Sequence, residues 1–543
     1  MADDQNNALA LITTGDNALS LVQKQTSETK LARISASKIT SQDFPDDFVF
    51  GAGTAALQVE GAYAEGGKSL SNWDTFALRT PSKISDGGNP SVAIDEYHRY
   101  KEDVLLLKKI GLSAFRFSIS WSRVLPGGRL STGKNMEGIK YYNDLIDFCL
   151  CQGIEPYATL LHFEVPQCLE DEYGGFLSEK IVKDFVEFAE LCFFEFGDRV
   201  KHWGSLNEPF AFTTNGYVYG AFPPGHTGDS QTPPSDGVEP YIVGHNLILA
   251  HAYAVDTYKR NYQPFQGGKI GMTNVSSWYE PYDDHGDSED WKAVLRAFDF
   301  VVGWFVEPLV TGDYPASMRK YVGERLPKFT EEQASLVKGS YDFMGFNYYT
   351  ARYIKNDPNS TSTSQYAKDL HYTSSTTNAE GHSIGPPASS AAPYVVIVPY
   401  GIQKVLAFLK NKYGDPLIYI TENGCPSGND KKLSVPEALV DDTRLKYIQD
   451  HLYYVKKAID EDKVRVLGYF VWSLLDTFEL AVGYTVGYGL FYVDFANGLT
   501  RYPRTSAIWM MNFFSKKLIT ADSSKKRTRE DEDVVKNGSK KHK

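Results

Sequence analysis

Eight short β-forming runs alternate with longer amphipathic patterns along the chain, and this alternation restricts the fold more than any other feature. Eight strand-and-helix units suit a closed barrel better than an open sheet, whose Gly-rich phosphate-binding turn the sequence lacks. We therefore predict an α/β fold, a single (β/α)8 TIM barrel with long βα loops at its C-terminal face. The predicted strands are Phe48–Gly53, Ala114–Ser120, Pro156–His162, Lys201–Asn207, Lys269–Val275, Phe343–Tyr349, Leu417–Thr421 and Val466–Leu474. The predicted helices include Glu137–Gln152, Ser178–Phe196, Tyr241–Tyr262, Glu289–Val306, Pro399–Lys412 and Asp441–Ile459.

The alternating pattern leaves a polar segment at each end of the chain. Residues 1–43 are rich in Ser, Thr, Gln and Lys without sustained periodicity, which is typical of a flexible N-terminal arm. The barrel is predicted over residues 44–515, and residues 516–543 form a basic tail that we expect to be disordered. Two long connections, Pro223–Pro240 and Asn356–Pro393, are expected to wall a pocket.

The charge and hydropathy of the chain exclude several classes of partner. The formal net charge of -12 argues against nucleic acid as the main partner, although residues 525–543 carry eight Lys or Arg against four acids. No run approaches the roughly 18 to 20 apolar residues of a membrane span. The apolar runs Ala8–Ile12 and Leu19–Val22 are too short for the core of a signal peptide. We predict a protein that is neither membrane-bound nor secreted.

Five cysteines, an odd number, lack the spacing of a metal site. We interpret them as reduced core thiols of an intracellular protein, and we expect neither a metal nor a cofactor. They are Cys149, Cys151, Cys168, Cys192 and Cys425.

Two of the predicted strands end on a carboxylate. The stretch Leu417–Gly424 runs from an apolar strand into Glu422, and His202–Pro209 brings Glu208 to the end of another strand. Either glutamate alone would be interpreted as a solvated loop residue. In a barrel, however, the C-terminal ends of all strands meet at one mouth, where active sites lie.

Other polar or aromatic residues stand at the same ends of the predicted strands. Because neighbours on a strand face opposite sides, we predict no role in the site for Tyr348. Together with Glu208 and Glu422, the other residues converge from seven of the eight strands, which predicts a functional site at the mouth. These residues are Gln58, Arg116, His162, Asn207, Asn347, Tyr349, Trp472 and Glu479.

Paired carboxylates among amides, an imidazole and indole rings are what glycoside hydrolysis requires. One carboxyl must be protonated to release the leaving oxygen, and the other must be ionised to attack the anomeric carbon. Arg116 beside Glu422 would favour the ionised form of that carboxylate, whereas aromatic walls would raise the pKa of Glu208. The surroundings would thus give the two glutamates different roles.

Five motifs carry a resemblance to a known family. The chain resembles plant β-glucosidases of glycoside hydrolase family 1, which are retaining enzymes, from about Phe44 to Phe514. Taken together, the motifs are specific, whereas any one alone would not be. They are Phe-Arg-Phe-Ser-Ile-Ser-Trp (115–121), Asn-Glu-Pro (207–209), Phe-Asn-Tyr-Tyr-Thr (346–350), Ile-Thr-Glu-Asn-Gly (420–424) and Trp-Ser-Leu-Leu-Asp (472–476).

The resemblance implies a role for each matching position. Glu208 would be the general acid/base and Glu422 the nucleophile, which Arg116 and Tyr349 would orient. Asn207 would bind the sugar 2-hydroxyl, and Trp472 would form the stacking floor of the glucose subsite. Further substrate contacts are expected from Gln58, His162, Tyr349, Glu479 and Tyr488, and aglycone contacts from Phe163 and Tyr394.

Several rim positions depart from the family pattern. Phe163-Glu164 replaces the usual Trp-Asp, Leu480 replaces a Trp whose indole N–H contacts the sugar, and Thr477 replaces an Asn. Gly487-Tyr488 replaces Arg-Phe, and Tyr394 replaces a Trp at the aglycone subsite. The changes spare both carboxylates. A glutamine at position 208 would have indicated a thioglucosidase, and the glutamate found there favours an O-glycoside.

The basic tail limits the resemblance to a smaller group within the family. Lys525–Arg529 and Lys540–Lys543, separated by an acidic spacer, look like a two-part nuclear-import signal that would bind an import receptor. A barrel glucosidase with such a tail is similar to strictosidine and related alkaloid β-glucosidases of plants. We predict a nuclear, otherwise cytoplasmic, β-glucosidase that acts on a bulky specialised metabolite glucoside, most simply an alkaloid glucoside.

Two other functions stay open at this point. A transglucosidase would use the same glycosyl-enzyme intermediate with an alcohol in place of water. A sugar-binding or scaffold protein could keep the pocket without turnover, although the two glutamates argue against it. The sequence also leaves the oligomeric state open, a homo-oligomer included.

Overall fold

Eight parallel strands close into a barrel in which each strand pairs with its neighbours in the sequence. The computed structural model describes residues 39–227, 237–285, 288–429 and 433–515. The predicted barrel is confirmed, and every predicted strand agrees with an observed one to within two residues at each end. The strands are β1 (Val49–Gly53), β2 (Ala114–Ser118), β3 (Glu155–Leu161), β4 (His202–Asn207), β5 (Lys269–Val275), β6 (Phe343–Asn347), β7 (Ile418–Asn423) and β8 (Val466–Trp472).

Helices fill the crossovers, because parallel neighbours can be joined only by a connection that returns outside the sheet. The predicted helix Glu289–Val306 contains a π-helical turn at Asp299–Gly303. The longer helices are Glu96–Ile110, Met136–Cys151, Lys180–Phe196, Glu239–Asn261, Asp290–Phe298, Trp304–Thr311, Tyr400–Tyr413, Asp442–Asp460 and Thr505–Phe514. Shorter ones are Ala56–Val59, Asn72–Arg79, Trp121–Val124, Gln167–Tyr173, Pro209–Tyr217, Gln263–Gln266, Ala316–Val322, Glu331–Val337, Gln365–Leu370 and Val435–Ala438.

Large side chains pack the barrel interior, and two glycines of β1 make room for them. A Cβ added at Gly51 would lie 2.4 Å from the Phe470 ring, and one at Gly53 would lie 3.2 Å from Trp472. Only glycine therefore lets the Phe470 ring lie against β1. The interior layer below the mouth consists of Ala114, Tyr157, Phe343, Tyr419 and Phe470.

Both strands that carry a candidate catalytic glutamate have an irregular register near their ends. Between Ile420 and Glu422, β7 advances two residues while β6 advances one. Between Gly204 and Asn207, β4 advances three residues while β5 advances two. An extra residue of this kind is a β-bulge, and it shifts the following side chains to the other face. The bulge in β7 lets Thr421 and Glu422 both face the barrel interior.

The long connection after β6 is more ordered than predicted. It contributes Ala351–Asn356 and Tyr372–Ser375 to a three-stranded sheet with Trp278–Pro281. It then forms the paired strands Pro387–Ser389 and Ala392–Val396. The remaining short strands are the pairs Ser427–Gly428 with Val486–Gly487, and Phe491–Asp494 with Thr500–Pro503.

Three predicted segments lie partly or wholly outside the described residues. These are residues 1–38 of the N-terminal arm, the whole tail 516–543, and residues 228–236 of the connection Pro223–Pro240. Among the residues that the structure describes, no helix is long and apolar enough to cross a membrane.

The interpretation of the cysteines is partly wrong. All five are free thiols, and Cys149, Cys192 and Cys425 are buried as expected, but Cys151 and Cys168 are exposed. Cys149 and Cys151 lie on one helix, Met136–Cys151, where residues two apart point in different directions. The apolar composition of that run therefore concealed an exposed position.

Candidate active site

The predicted site residues converge on one cavity of about 310 Å³ at the C-terminal mouth of the barrel. Arg116 does not line the cavity, and it contacts Glu422 from β2. Tyr348 is absent from the lining, as predicted, because its hydroxyl donates to the Val398 carbonyl on the other side of the strand. The predicted residues that do line the cavity are Gln58, His162, Phe163, Asn207, Glu208, Tyr349, Tyr394, Glu422, Trp472, Glu479 and Tyr488.

Glu422 accepts one strong hydrogen bond on each carboxylate oxygen. Arg116 Nη1 donates to Oε1 at 2.6 Å, and the Tyr349 hydroxyl donates to Oε2 at 2.6 Å. The guanidinium is buried, as is the carboxylate, so the pair is shielded from solvent. Charge-assisted donors on both oxygens stabilise the ionised carboxylate and fix its orientation. The predicted contacts of Arg116 and Tyr349 with Glu422 are therefore present.

Glu208 has a different environment. Asn347 Nδ2 donates to its Oε1 at 2.7 Å, and no cation pairs with it among the described residues. Burial, and then the nearby Glu422 charge, raise the pKa of Glu208 to about 8. The residue has φ 45°, a left-handed conformation that is uncommon outside glycine. Glu208 is therefore protonated at neutral pH. Its pKa is raised, as we predicted from aromatic walls around it.

A network of amides joins the two carboxyl groups. Arg116 Nη2 donates to Asn207 Oδ1 at 2.6 Å, and Asn347 Nδ2 approaches the same oxygen at 3.3 Å. Thr421 Oγ1 donates to Asn347 Oδ1 at 2.7 Å. Each amide thus has its orientation set by its neighbours, which holds both carboxyl groups in place.

His162 is neutral, and one of its ring nitrogens has no hydrogen-bond partner among the described residues. Burial, and then the Arg116 charge, lower its pKa well below the ordinary value. Asn207 Nδ2 lies 3.1 Å from His162 Nε2, which must accept, so the proton resides on Nδ1. Among the described residues, Nδ1 is buried without a hydrogen-bond partner. Nδ1 is thus shielded from the cavity, which His162 lines with the rest of its ring.

Gln58 and Glu479 meet at another side of the cavity. Gln58 Nε2 donates to the Phe478 carbonyl at 2.8 Å and lies 3.3 Å from Thr477 Oγ1. Thr477 Oγ1 in turn donates to Glu479 Oε1 at 2.8 Å. Burial above all raises the pKa of Glu479 to about 8. Thr477, one of the departures from the family pattern, therefore supports Glu479.

Aromatic rings form the walls of the cavity. Trp472 stacks on His162 with ring centroids 5.6 Å apart, and Tyr488 packs edge-on against Tyr349 at 6.0 Å. Tyr394 is 45% exposed at the rim, whereas Phe163 is buried. The indole of Trp472 lines the cavity with the imidazole stacked on it, and Tyr394 lies at the exposed rim.

The expected origin of the outer wall is wrong in part. No residue of Asn356–Pro393 lines the cavity, and among the described residues none of Pro223–Pro240 does. The wall comes from the residues just beyond, Tyr394 and Val395. Part of the long connection, Tyr372–Ser375, instead pairs with the strand Ala351–Asn356, which itself pairs with Trp278–Pro281.

Sequence reasoning missed several lining residues. Ser276 and Ser277 follow β5, the one strand to which no site residue had been assigned, and their position after a strand end was the available signal. Asn347 was recognised as a strand end but not as the partner of Glu208. Thr350 and Arg352 lie one and three residues beyond Tyr349, the end of the sixth predicted strand, and neither was assigned a role.

Potential metal ligands lie elsewhere in the described part of the chain. The one group of three His, Cys, Asp or Glu residues with converging ligand atoms is Asp283, Asp284 and His285. Two of the three are exposed and none lines the cavity. The cavity chemistry rests on its carboxyl, amide and aromatic groups.

Comparison with known proteins agrees with this geometry. The sequence profile of glycosyl hydrolase family 1 matches residues 40–518. The chain is 50% identical over 537 residues to oleuropein beta-glucosidase of Olea europaea, which covers 95% of this chain and 96% of that protein. It is 49% identical over 522 residues to raucaffricine-O-beta-D-glucosidase of Rauvolfia serpentina, covering 92% and 96%.

A solved structure extends the likeness to three dimensions. A mutant of the rice Os3BGlu6 beta-glucosidase in a covalent complex with Glc matches with a TM-score of 0.85 and 42% identity, over 88% of this chain and 100% of that one. Sequence and fold therefore agree over nearly all of the described residues. The chain belongs to glycosyl hydrolase family 1 and is a glycosidase of that family.

Proposed function

We propose that this protein is a retaining β-glucosidase in which Glu208 is the general acid/base and Glu422 the nucleophile. One observation carries the proposal. Two carboxyl groups share a cavity in different surroundings: Glu422 accepts hydrogen bonds from Arg116 and Tyr349, whereas burial raises the pKa of Glu208 to about 8. An acid and a nucleophile side by side are what a double displacement requires.

The reaction follows from these states. Glu208 gives its proton to the glycosidic oxygen while Glu422 attacks the anomeric carbon, so the bond to the aglycone breaks and a glucosyl ester forms. The ionised Glu208 then takes a proton from water, whose oxygen attacks the anomeric carbon and releases Glu422. Glucose leaves with its original anomeric configuration. The covalent complex of the rice relative with Glc supports such an intermediate.

The remaining polar groups suit a sugar ring. His162 and Asn207 line the cavity with an imidazole and an amide, and Gln58 with Glu479 presents an amide and a carboxyl. Such groups read the hydroxyls of glucose, and the Trp472 ring covers its C–H face. Leu480 lines the cavity where the family pattern has an indole donor, so one donor to the sugar is missing.

The aglycone is proposed to be a bulky specialised metabolite, most simply a monoterpenoid indole or related alkaloid such as that of strictosidine. Support comes from the names of the two plant relatives, which specify oleuropein and raucaffricine, and from the aromatic rim at Tyr394 and Phe163. A rim of rings favours ring-rich ligands because it buries their apolar faces. The reactive aglycone would be released together with glucose.

Trapping the intermediate tests the mechanism. A 2-deoxy-2-fluoro-β-D-glucoside with a good leaving group should inactivate the enzyme and label the peptide that contains Glu422. Mass spectrometry of the digest identifies the labelled residue, and Glu422→Gln is the control that should take up no label. A label on another residue, or turnover that inverts the anomeric centre, would contradict the proposal.

A substrate panel tests the aglycone. Purified enzyme is incubated with glucosides that include strictosidine, oleuropein, raucaffricine and 4-nitrophenyl β-D-glucoside, and products are read by mass. We expect higher kcat/KM for at least one bulky metabolite than for the nitrophenyl glucoside. The reverse order for every metabolite would refute the substrate class while leaving the mechanism intact.

We also propose that the basic tail directs the protein to the nucleus through an import receptor. Support comes from the sequence alone, in the two basic clusters Lys525–Arg529 and Lys540–Lys543. A tail truncation, described below, tests it.

A further inference from the structure

Arg352 stands in the outer wall of the catalytic cavity, next to Tyr394. It is the only Lys or Arg among the described residues that line the cavity. It belongs to the strand Ala351–Asn356, where it pairs with Tyr279 of a neighbouring strand. Because Tyr394 lies at the exposed rim, Arg352 faces the part of the cavity where an aglycone would lie, beyond the sugar.

The contacts of Arg352 within the described residues are all to neutral oxygens. Nη1 donates to Thr350 Oγ1 at 2.9 Å and to the Ala351 carbonyl at 2.7 Å, and Nη2 donates to the Tyr394 carbonyl. Glu422, in contrast, is paired with Arg116. Burial lowers the pKa of Arg352, and no carboxylate forms an ion pair with it within the described part of the chain. A partly desolvated cation without a counterion favours an oxygen-rich ligand.

The guanidinium also has donors to spare. It carries five N–H groups, and three hydrogen bonds to the described residues leave two. Two N–H groups are what a carboxylate takes from an arginine in a bidentate pair, and a carbonyl oxygen can accept from one of them. The three bonds already made hold the guanidinium in place, which lowers the entropic cost of binding a ligand.

We propose that Arg352 binds a carboxyl-derived oxygen of the aglycone, either a free carboxylate or its ester carbonyl, and thereby selects substrates that carry one. The inference rests on the proposed β-glucosidase function and names the chemistry of its aglycone. An aglycone that places an ammonium group at this position would be repelled.

Three matched glucosides test this selection. The probes are biphenyl-4-yl β-D-glucosides that carry hydrogen, a carboxylate or a methyl ester on the outer ring, where the substituent hardly changes the leaving group. The measured quantity is kcat/KM of each substituted probe relative to the unsubstituted one, in the wild type and in Arg352→Met. We expect the variant to lose about tenfold or more of that ratio for the carboxylate, the ester, or both. Which ratio falls identifies the source of the oxygen.

Control variants separate charge recognition from support of the wall. Thr350→Val removes the hydroxyl that bonds Arg352 and the Val396 backbone but keeps the guanidinium, so all three probes should lose activity alike. Arg352→Lys should keep part of the carboxylate ratio, because it keeps the charge without the planar pair of donors. This variant remains informative if Arg352→Met fails to fold.

Two results would overturn the proposal. Equal losses on the three probes in Arg352→Met and Arg352→Lys would show that Arg352 only supports the Tyr394 backbone. A wild type that shows no preference for either substituted probe would remove the selection itself. Failure of the proposed function is seen separately, as absence of turnover of 4-nitrophenyl β-D-glucoside by the wild type.

Discussion

At the scale of single residues, neighbours assign different chemistry to two identical side chains. Glu422 has a guanidinium and a phenol hydroxyl within 2.6 Å, and Glu208 has one neutral amide at 2.7 Å. Hydrogen bonds and an adjacent cation favour a charged carboxylate, whereas burial near a like charge favours a neutral one. The different roles proposed for the two glutamates therefore depend on where each side chain lies in the fold.

The pH dependence of turnover follows from Glu208. Its pKa is raised to about 8, so the acid form is present below that pH and is lost as pH rises through it. We expect kcat/KM for a glucoside with a poor leaving group to fall above about pH 8. In Glu208→Gln this alkaline limb should vanish, and kcat/KM should drop by about 10²- to 10⁴-fold.

Glu479 provides the matched control, because burial raises its pKa to about 8 as well. Glu479→Gln should weaken sugar binding but keep the alkaline limb. If Glu479→Gln removed the limb and Glu208→Gln kept it, the assignment of the acid would be wrong. Stopped assays between pH 5 and 10, at constant ionic strength, provide the measurement.

Azide rescue tests which face of the sugar each carboxyl occupies. Azide should restore turnover of a β-glucoside by Glu422→Ala and give an α-glucosyl azide. The anion occupies the place of the lost carboxylate and attacks the anomeric carbon from the α face. Glu208→Ala should give the β-azide, mainly with leaving groups that need little protonation. Nuclear magnetic resonance of the product reads the stereochemistry, and exchanged outcomes would reverse the two roles.

At the scale of elements, the ends of the strands decide the direction of the site side chains more than the middle of the strands does. The bulge near the end of β7 brings Thr421 and Glu422 to one face, and a similar bulge in β4 precedes Asn207 and Glu208. Regular pleating would place alternate side chains outside. The bulges next to the two candidate catalytic glutamates therefore set the direction of their side chains.

The close packing of β1 against β8 predicts a stability effect. Gly51→Ala would bring its Cβ to 2.4 Å from the Phe470 ring and 2.8 Å from the Ala114 carbonyl, so a neighbour must shift. We expect a loss of about 1 to 3 kcal/mol in the free energy of unfolding, measured with denaturant. Phe470→Leu in the same chain should recover part of the loss, and strictly additive effects would argue against the contact.

The rim strand Ala392–Val396 predicts an effect on aglycone selection. Tyr394→Ala should reduce kcat/KM for a bulky alkaloid glucoside about tenfold to hundredfold more than for 4-nitrophenyl β-D-glucoside, because only the large aglycone packs on the ring. Tyr394→Phe keeps the ring and should behave like the wild type. Equal losses on both substrates in Tyr394→Ala would show that the residue supports the fold instead.

At the scale of the whole molecule, a single barrel carries the catalytic cavity, and its last helix closes the packed part. Helix Thr505–Phe514 places Phe513 and Phe514 against Phe50 of β1, with ring centroids 5.3 Å apart in each pair. Strand β8 pairs with β1 to close the sheet. The ends of the barrel sequence thus meet, and the tail follows this contact.

Truncation after Ser515 should separate location from catalysis. The removed residues carry two basic clusters and few apolar side chains, so the barrel should keep its kcat/KM. A fluorescent fusion of the full chain should accumulate in nuclei and the truncated fusion should not. A control with the basic residues of Lys540–Lys543 changed to Gln tests the second cluster alone. A truncated fusion that stays nuclear would refute the import signal.

The sequence by itself determined the eight strands and the end of the strand at which each candidate glutamate lies. Those properties depend on local patterns, since hydrophobic periodicity and a terminal Pro209 act over a few residues. The motifs around Asn207, Glu208 and Glu422 then indicated the family, which the comparisons confirmed.

Only the tertiary structure decided how those residues are aimed and what surrounds them. Bulges at β4 and β7 arise from pairing with β5 and β6, and no local pattern reveals an extra residue in a ladder. The wall formed by Arg352 and Tyr394 joins residues 42 positions apart through a backbone carbonyl. The raised pKa of Glu208 and the hydrogen bonds that Glu422 accepts depend on burial and on such distant neighbours, so they follow from the closed barrel and not from the order of its residues.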